Sequence, residues 1–263
     1  MSKLLDQLSD RFYGGISLLV CGPPGTGKST LLGSVLSHGK TLLIALRPNE
    51  VNSYGYRSLP KDQITLIYDR GWKPDLDKFV ASGFHELMVL LYELQEDETY
   101  DFVLLDPLTD AFVLAQHEIM AKEKSPTFQD MQNSQGAYGA LRHKSIALGK
   151  AVTDLQFAKK PKHVLAAIHT QPAKEDEKGH ATVTYSGEVL PAIEGSYREL
   201  IAGEFDIVLH TTISRSFKEG TSYGVEVVTN AKRHNKIRLA PALEVKTLPN
   251  DFGKVMEVIL EAK

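Results

Sequence analysis

Ile16-Ser17-Leu18-Leu19-Val20-Cys21-Gly22-Pro23-Pro24-Gly25-Thr26-Gly27-Lys28-Ser29-Thr30 is the stretch whose reading decides the fold. Ile16 to Val20 is a short apolar run of the kind a buried strand shows. Gly22 to Thr30 fits G-x-x-x-x-G-K-[ST], and Leu31-Leu32-Gly33-Ser34-Val35-Leu36 then opens an apolar helix. Strand, glycine-rich loop and helix in that order make the pattern a phosphate-binding loop. Glycines let backbone N–H groups turn inward around phosphates, and the helix N-terminus adds partial positive charge. Gly22, Pro23, Pro24, Gly25, Thr26, Gly27, Lys28, Ser29 and Thr30 are therefore the expected nucleotide-binding residues. Lys28 is expected to reach the β- and γ-phosphates of ATP, and the Ser29 hydroxyl to take a Mg2+ position.

Working outward, apolar strands alternate with helical stretches. Thr41–Leu46, Ile64–Tyr68, Asp101–Asp106, His163–Ile168 and Phe205–His210 read as further strands. Apolar residues at helical spacing predict helices over Asp75–Leu94 and Gln135–Phe157. Strands without strict polar alternation, separated by helices, indicate a mostly parallel sheet covered on both faces. The C-terminal part differs. Thr211–Phe217, a turn at Lys218-Glu219-Gly220, and Tyr223–Thr229 predict an antiparallel hairpin, followed by a strand over Ile237–Val245 and a short terminal helix. The expectation is a single α/β domain over residues 1–263, with an amphipathic segment at 1–15 and an antiparallel extension at 211–246.

Composition sets the outer bounds. The chain has 263 residues, 42% hydrophobic and 24% charged, which is ordinary for a globular protein with one sizeable core. No apolar run approaches the roughly 18–20 residues of a membrane helix, so no membrane partner is expected. A single cysteine, Cys21, excludes an internal disulfide and a cysteine-based zinc site. The amphipathic start MSKLLDQLSDRF lacks a signal-peptide pattern, and a cytoplasmic location is expected. A net charge of −3 advertises no global affinity for nucleic acid, so any such binding must be local.

The second half of a nucleotide site is expected at strand ends. Leu104-Leu105-Asp106 closes an apolar strand with an acid, the position that holds Mg2+ directly or through water. Asp110 is the runner-up, read as a helix N-terminal acid. His163–Ile168 ends in His169-Thr170-Gln171, and either His169 or Gln171 can sense a terminal phosphate there. Glu50, just past the second strand, is the candidate for orienting the attacking water, with Asp69 a weaker one.

With these pieces in place, the chain resembles the RecA-like P-loop ATPases, most of all a compact phage-encoded branch without accessory domains. The resemblance rests on Gly22–Thr30, Tyr100–Asp106, the strand ending in His169, Gly203–Val208 and Ala231-Lys232-Arg233, and it spans Ile16 to Arg238. It implies ATP hydrolysis with Mg2+, DNA stimulation, and single-stranded DNA binding in annealing or recombination beside a single-strand-binding protein. It also implies a homo-oligomer, with Lys232 and Arg233 near where such proteins present basic fingers to a neighbour's nucleotide. Two departures stand out. Arg47 and Pro48 occupy the register where a glutamate is expected, with Glu50 displaced, and no N-terminal oligomerisation domain is evident.

In RecA-like proteins the loops after the third and fourth strands grip DNA. Here those intervals are Ala111–Ser134, with Gln116, His117, Lys122, Lys124, Phe128, Gln129 and Asn133, and Pro172–Ser196, with Lys174, Lys178, His180 and Tyr185. Lysine beside an aromatic suits backbone neutralisation and base stacking. Lys159-Lys160-Pro161-Lys162 is the most basic local run and reads first as a helix end. Two other functions fit the same motif: a partner-switching ATPase such as a helicase loader, and a small-molecule kinase whose acceptor pocket Tyr54, Tyr56 and Arg57 could line.

Overall fold

The computed structural model describes residues 3–11, 14–176, 183–193, 197–216, 220–226, 236–238 and 247–261. In chain order the elements are α1 (Lys3–Arg11), β1 (Ser17–Gly22), α2 (Lys28–Gly33), β2 (Thr41–Ala45), β3 (Ile64–Leu66), β4 (Trp72–Lys73), β5 (Lys78–Phe79) and α3 (Gly83–Glu96). Then follow β6 (Phe102–Asp106), α4 (Leu108–Glu123), α5 (Ser134–Asp154), β7 (His163–Asp176), β8 (Val183–Pro191) and α6 (Tyr197–Glu204). The chain closes with β9 (Ile207–Ser216), β10 (Gly220–Glu226), β11 (Lys236–Ile237), β12 (Thr247–Pro249) and α7 (Phe252–Glu261).

The main sheet runs β12-β10-β9-β1-β7-β6-β2-β3. From β9 to β3 every pairing is parallel, and β10 and β12 add antiparallel strands at one edge. Strand β7 lies between the glycine-loop strand β1 and the Asp106 strand β6, the inserted-strand order that the sequence resemblance leads one to expect. Alternate residues of each apolar strand feed opposite layers. Leu19, Val103, Leu105 and Val164 join one core with α3, α4, α5 and α6. Leu18, Val20, Leu104 and Leu165 join the other with α1, α2 and α7. A parallel sheet buried on both faces is the physical reason the strands read as continuous apolar runs. None of the described helices is long and apolar enough to cross a membrane.

Three expectations need correction. The helix expected from Asp75 begins only at Gly83, because Trp72–Lys73 pairs with Lys78–Phe79 across a turn in which Asp77 takes a left-handed φ of 52°. Leu76 and Val80, which completed the helical spacing, point to solvent at 60% and 64% exposure. The interval Ala111–Ser134 is mostly helix α4, with Ala111, Phe112, Leu114, Ala115 and Ile119 buried. The interval from Pro172 is likewise no open loop: β7 continues past His169 and pairs antiparallel with β8, from Thr170 opposite Pro191 to Asp176 opposite Val183. The hairpin at the other edge forms as expected, with β9 running unbroken from the parallel core into its pairing with β10. Lys178, His180, Lys232 and Arg233 lie outside the described residues, as does most of the strand expected over Ile237–Val245.

Candidate nucleotide-binding site

Register puts the functional ends of the strands together. Gly22 stands opposite His169, and Ala45 opposite Asp106. Parallel strands end on one side of the sheet, where ligands of such folds bind. There a cleft of about 450 Å³ is lined by Pro24, Gly25, Gly27, Lys28, Ser29 and Thr30 from the glycine loop. Its other walls are Arg47, Glu50, Ser53, Tyr54, Gly55, Asp106, His169 and Tyr223. Gly25 and Gly27 have φ of 76° and 92°, a backbone region that side chains with a Cβ rarely enter.

Lys28 is almost fully buried, and its Nζ donates to the carbonyls of Gly22 and Pro23, both at 2.8 Å. Burial lowers its pKa, while the charges of Asp106 and Glu50 push back up. Asp106 is 2% exposed and accepts a 2.6 Å hydrogen bond from the Tyr56 hydroxyl at Oδ2. Burial lifts its carboxyl to about 6, against hydrogen bonds from Tyr56 and Ser29 that lower it. Hydroxyl and carboxylate oxygens are the hard donors Mg2+ prefers, so Ser29 and Asp106 fit that ion together with substrate phosphates. Among the described residues no group of three or more His, Cys, Asp or Glu could hold a metal by itself.

His169 lines the cleft, and both its ring nitrogens are buried without a protein partner. Burial, then the charges of Lys28 and Arg47, lower its pKa to about 4, so the ring is neutral near pH 7. Gln171 is exposed further along β7 and does not line the cleft. Glu50 sits on a short 3-10 turn, lines the cleft, and accepts from the Ser53 hydroxyl at 3.0 Å. Asp110 is in the first turn of α4 and is held by Arg47. Asp69 is elsewhere: it caps α3 through Ser82 and Gly83 N–H groups and accepts from His117 at 2.9 Å.

Within the loop, Gly22, Pro23 and Thr26 turn to the opposite face, where they line a second cavity of about 360 Å³ with Thr170, His210 and Thr211. Thr26 Oγ1 lies 2.6 Å from Thr211 Oγ1, which ties the loop to β9. An AAA-domain family profile, AAA_24, matches residues 14–239. The chain belongs to that family. This AAA-domain chain is also similar, at low identity, to solved structures. Flagellar accessory protein FlaH from Methanocaldococcus jannaschii matches at 13% identity over 92% of this chain and 89% of that one, with a TM-score of 0.44. A type III secretion ATPase from pathogenic bacteria matches at 15% identity over 76% and 52%, TM-score 0.42. EscN from enteropathogenic E. coli matches at 17% over 75% and 43%, TM-score 0.42. The chain thus spans about half or less of the two secretion ATPases. No curated protein sequence matches it.

Of the residues expected to grip DNA, three from the first interval are engaged within the fold, while Lys122, Lys124 and Gln129 are exposed. His117 is paired with Asp69 and stacked on Trp72 at 4.4 Å, Phe128 is buried in the core, and Asn133 caps α5. The basic run is also consumed: Lys159 pairs with Glu98, Lys160 with Asp101 at 2.7 Å, and Lys162 is fully buried with Nζ on the Asp97 carbonyl. Sequence reading missed Tyr223, which reaches the cleft from β10, and the hydrogen bond of Tyr56 to Asp106. No local pattern marks either residue.

Proposed function

We propose that this AAA-domain chain hydrolyses ATP and uses the cycle to bind single-stranded DNA in annealing or recombination. The loop backbone from Gly22 to Thr30 cradles the phosphates, Lys28 offers its ammonium to the β- and γ-oxygens, and Glu50 orients water. Ser29 and Asp106 would hold Mg2+, which supplies charge neutralisation to the phosphates when bound. Lys232 and Arg233 complete the site of a neighbouring copy in a homo-oligomer, and a phage-encoded origin beside a single-strand-binding protein fits the resemblance.

The observation that carries this reading is that β7 is one continuous strand from the cleft into the β7–β8 hairpin. His169 lines the cleft at the end this reading gives to the terminal phosphate, and the next residues of β7 form an antiparallel arm with β8. A change at His169 therefore has a short backbone path, through the irregularity between Pro172 and Lys174, to whatever the arm holds. The sequence of that arm, Lys174-Glu175-Asp176, mixes charges and favours a second reading, a partner-switching ATPase whose hairpin meets a protein. Steady-state ATP hydrolysis with and without single-stranded DNA, at low and moderate salt, separates the two, with Lys28→Ala as control. Stimulation that fades with salt supports the DNA reading. Hydrolysis indifferent to DNA overturns it in favour of the protein partner.

A further inference from the structure

Of the described residues lining the cleft, two are strong cations, Lys28 and Arg47. Each is tethered to an acceptor of the protein itself. Lys28 is folded back on the Gly22 and Pro23 carbonyls. Arg47 forks onto Asp110, Nε to Oδ2 and Nη2 to Oδ1 at 2.8 Å. The Arg47 side chain is 48% exposed, whereas that of Asp110 is 13% exposed.

Backbone geometry fixes where Arg47 stands. Leu46 N–H donates to the Asp106 carbonyl at 2.9 Å, so Arg47 emerges directly beside the Asp106 strand end. Its charge is felt at His169. Arg47 therefore flanks the end of the cleft where the tip of Lys28, Asp106, Glu50 and His169 converge. Half of the Arg47 side chain is open to the cleft, so a competing anion can reach the guanidinium, and a forked pair on a mostly buried carboxylate yields only to a stronger anion. A terminal phosphoryl group is one, with more negative charge and three acceptor oxygens matched to the guanidinium plane.

We propose that Arg47 is a γ-phosphate ligand supplied in cis, parked on Asp110 in the absence of that phosphate and transferred to it when a nucleoside triphosphate binds. The exchange swaps one anion for another under the same fork, with no bond or proton transferred. Asp110 is left facing Glu50 and His117, the other titratable groups whose charge reaches it. The arrangement explains why an arginine can stand where the resemblance leads one to expect a glutamate. It places a charge on the transferring group without a neighbouring subunit, whereas Lys232 and Arg233 would act in trans. The inference rests on the nucleotide-binding reading of the cleft.

The test is the ratio of affinities for a non-hydrolysable ATP analogue and for ADP, measured by calorimetry on the full chain. Arg47→Ala should lower that ratio by about tenfold or more while leaving ADP affinity nearly unchanged, as loss of a charge-assisted contact to the terminal phosphate requires. Arg47→Lys should recover part of the loss, because an ammonium cannot fork. Asp110→Asn should raise the ratio above wild type by removing the competing anion. A ratio unchanged in Arg47→Ala, or equal losses for analogue and ADP, overturns the assignment while the nucleotide reading stands. Asp110→Asn that behaves like Arg47→Ala shows a structural pair and also overturns it. Wild type that binds neither nucleotide removes both readings together.

Discussion

The Tyr56 hydroxyl and the Asp106 carboxylate form a 2.6 Å hydrogen bond that neither residue can trade for water, since they are 1% and 2% exposed. Burial and the neighbouring Asp106 raise the tyrosine well above its usual value, so it stays a donor. One carboxylate oxygen is thereby fixed, and the carboxylate also accepts from Ser29, the other residue proposed to hold Mg2+. Tyr56→Phe keeps the volume and removes the donor. The expected result is a folded protein whose nucleotide binding needs several-fold more Mg2+, because a buried acceptor without its partner costs about 1–3 kcal/mol. A Mg2+ titration of nucleotide affinity checks it; an unchanged midpoint would show that Tyr56 does not position Asp106.

Tyr56 reaches Asp106 because its segment is pressed backbone to backbone against α2. A Cβ added at Gly33 would sit 2.0 Å from the Gly55 carbonyl oxygen, and one at Gly55 would sit 2.0 Å from that of Ser29. Neither carbonyl is the end of a flexible side chain, so the segment must move. Gly33→Ala and Gly55→Ala should each destabilise by about 1–3 kcal/mol or more and weaken nucleotide binding. Gly139→Ala in α5, with no atom within 4 Å, is the control, and there alanine should be neutral or stabilising by about 0.5–1 kcal/mol. Denaturant unfolding of the three variants measures the contrast.

These two contacts show what a sequence can and cannot carry. The phosphate loop, the parallel core and the strand-end position of Asp106 were legible because each follows from local composition: glycines at fixed spacing, and unbroken apolar runs. Helix α3 was placed eight residues too early because Leu76 and Val80 happen to match its period. What stops the helix is the Asp69 carboxylate on the Ser82 and Gly83 N–H groups, a cap from another element. The continuation of β7 was missed because its partner β8 is a separate stretch of sequence, and strand pairing beyond an apolar run leaves no local mark. His117 and Phe128 look like DNA contacts as residue types, but tertiary packing decides their exposure.

His163 gives the fold a pH dependence with a definite sign. Its Nδ1 accepts the Ile16 N–H at 3.3 Å, the ring packs 5.1 Å from Phe102, and the residue is 6% exposed. Burial lowers its pKa from 6.5 to about 4, with the Asp101 charge acting the other way. Between those values the unfolded chain takes up a proton that the folded chain refuses. Stability is therefore full above about pH 6.5 and is lost as pH falls toward 4, by up to about 3 kcal/mol from this group. His163→Asn keeps an acceptor for Ile16 and does not titrate. It should be less stable at pH 7 through lost packing, yet show a shallower fall between pH 7 and 5 in thermal denaturation.

His169 carries a different kind of cost. Its backbone N–H is held by Thr109 Oγ1 at 2.9 Å, while both ring nitrogens are buried and unpaired. A buried polar group without a partner costs about 1–3 kcal/mol, and oxygens of a bound phosphate would relieve it. A neutral imidazole has one N–H to give them, and the strand that carries it continues into the β7–β8 hairpin. His169→Phe fills the same space without a donor. It should bind nucleotide and hydrolyse ATP within a few-fold of wild type, while losing the response to single-stranded DNA. His169→Asn, which restores a donor, should recover part of that response. If His169→Phe remains fully stimulated, the signal does not pass along β7, and the tie between Thr26 and Thr211, which joins the phosphate loop to the β9–β10 hairpin, becomes the route to test.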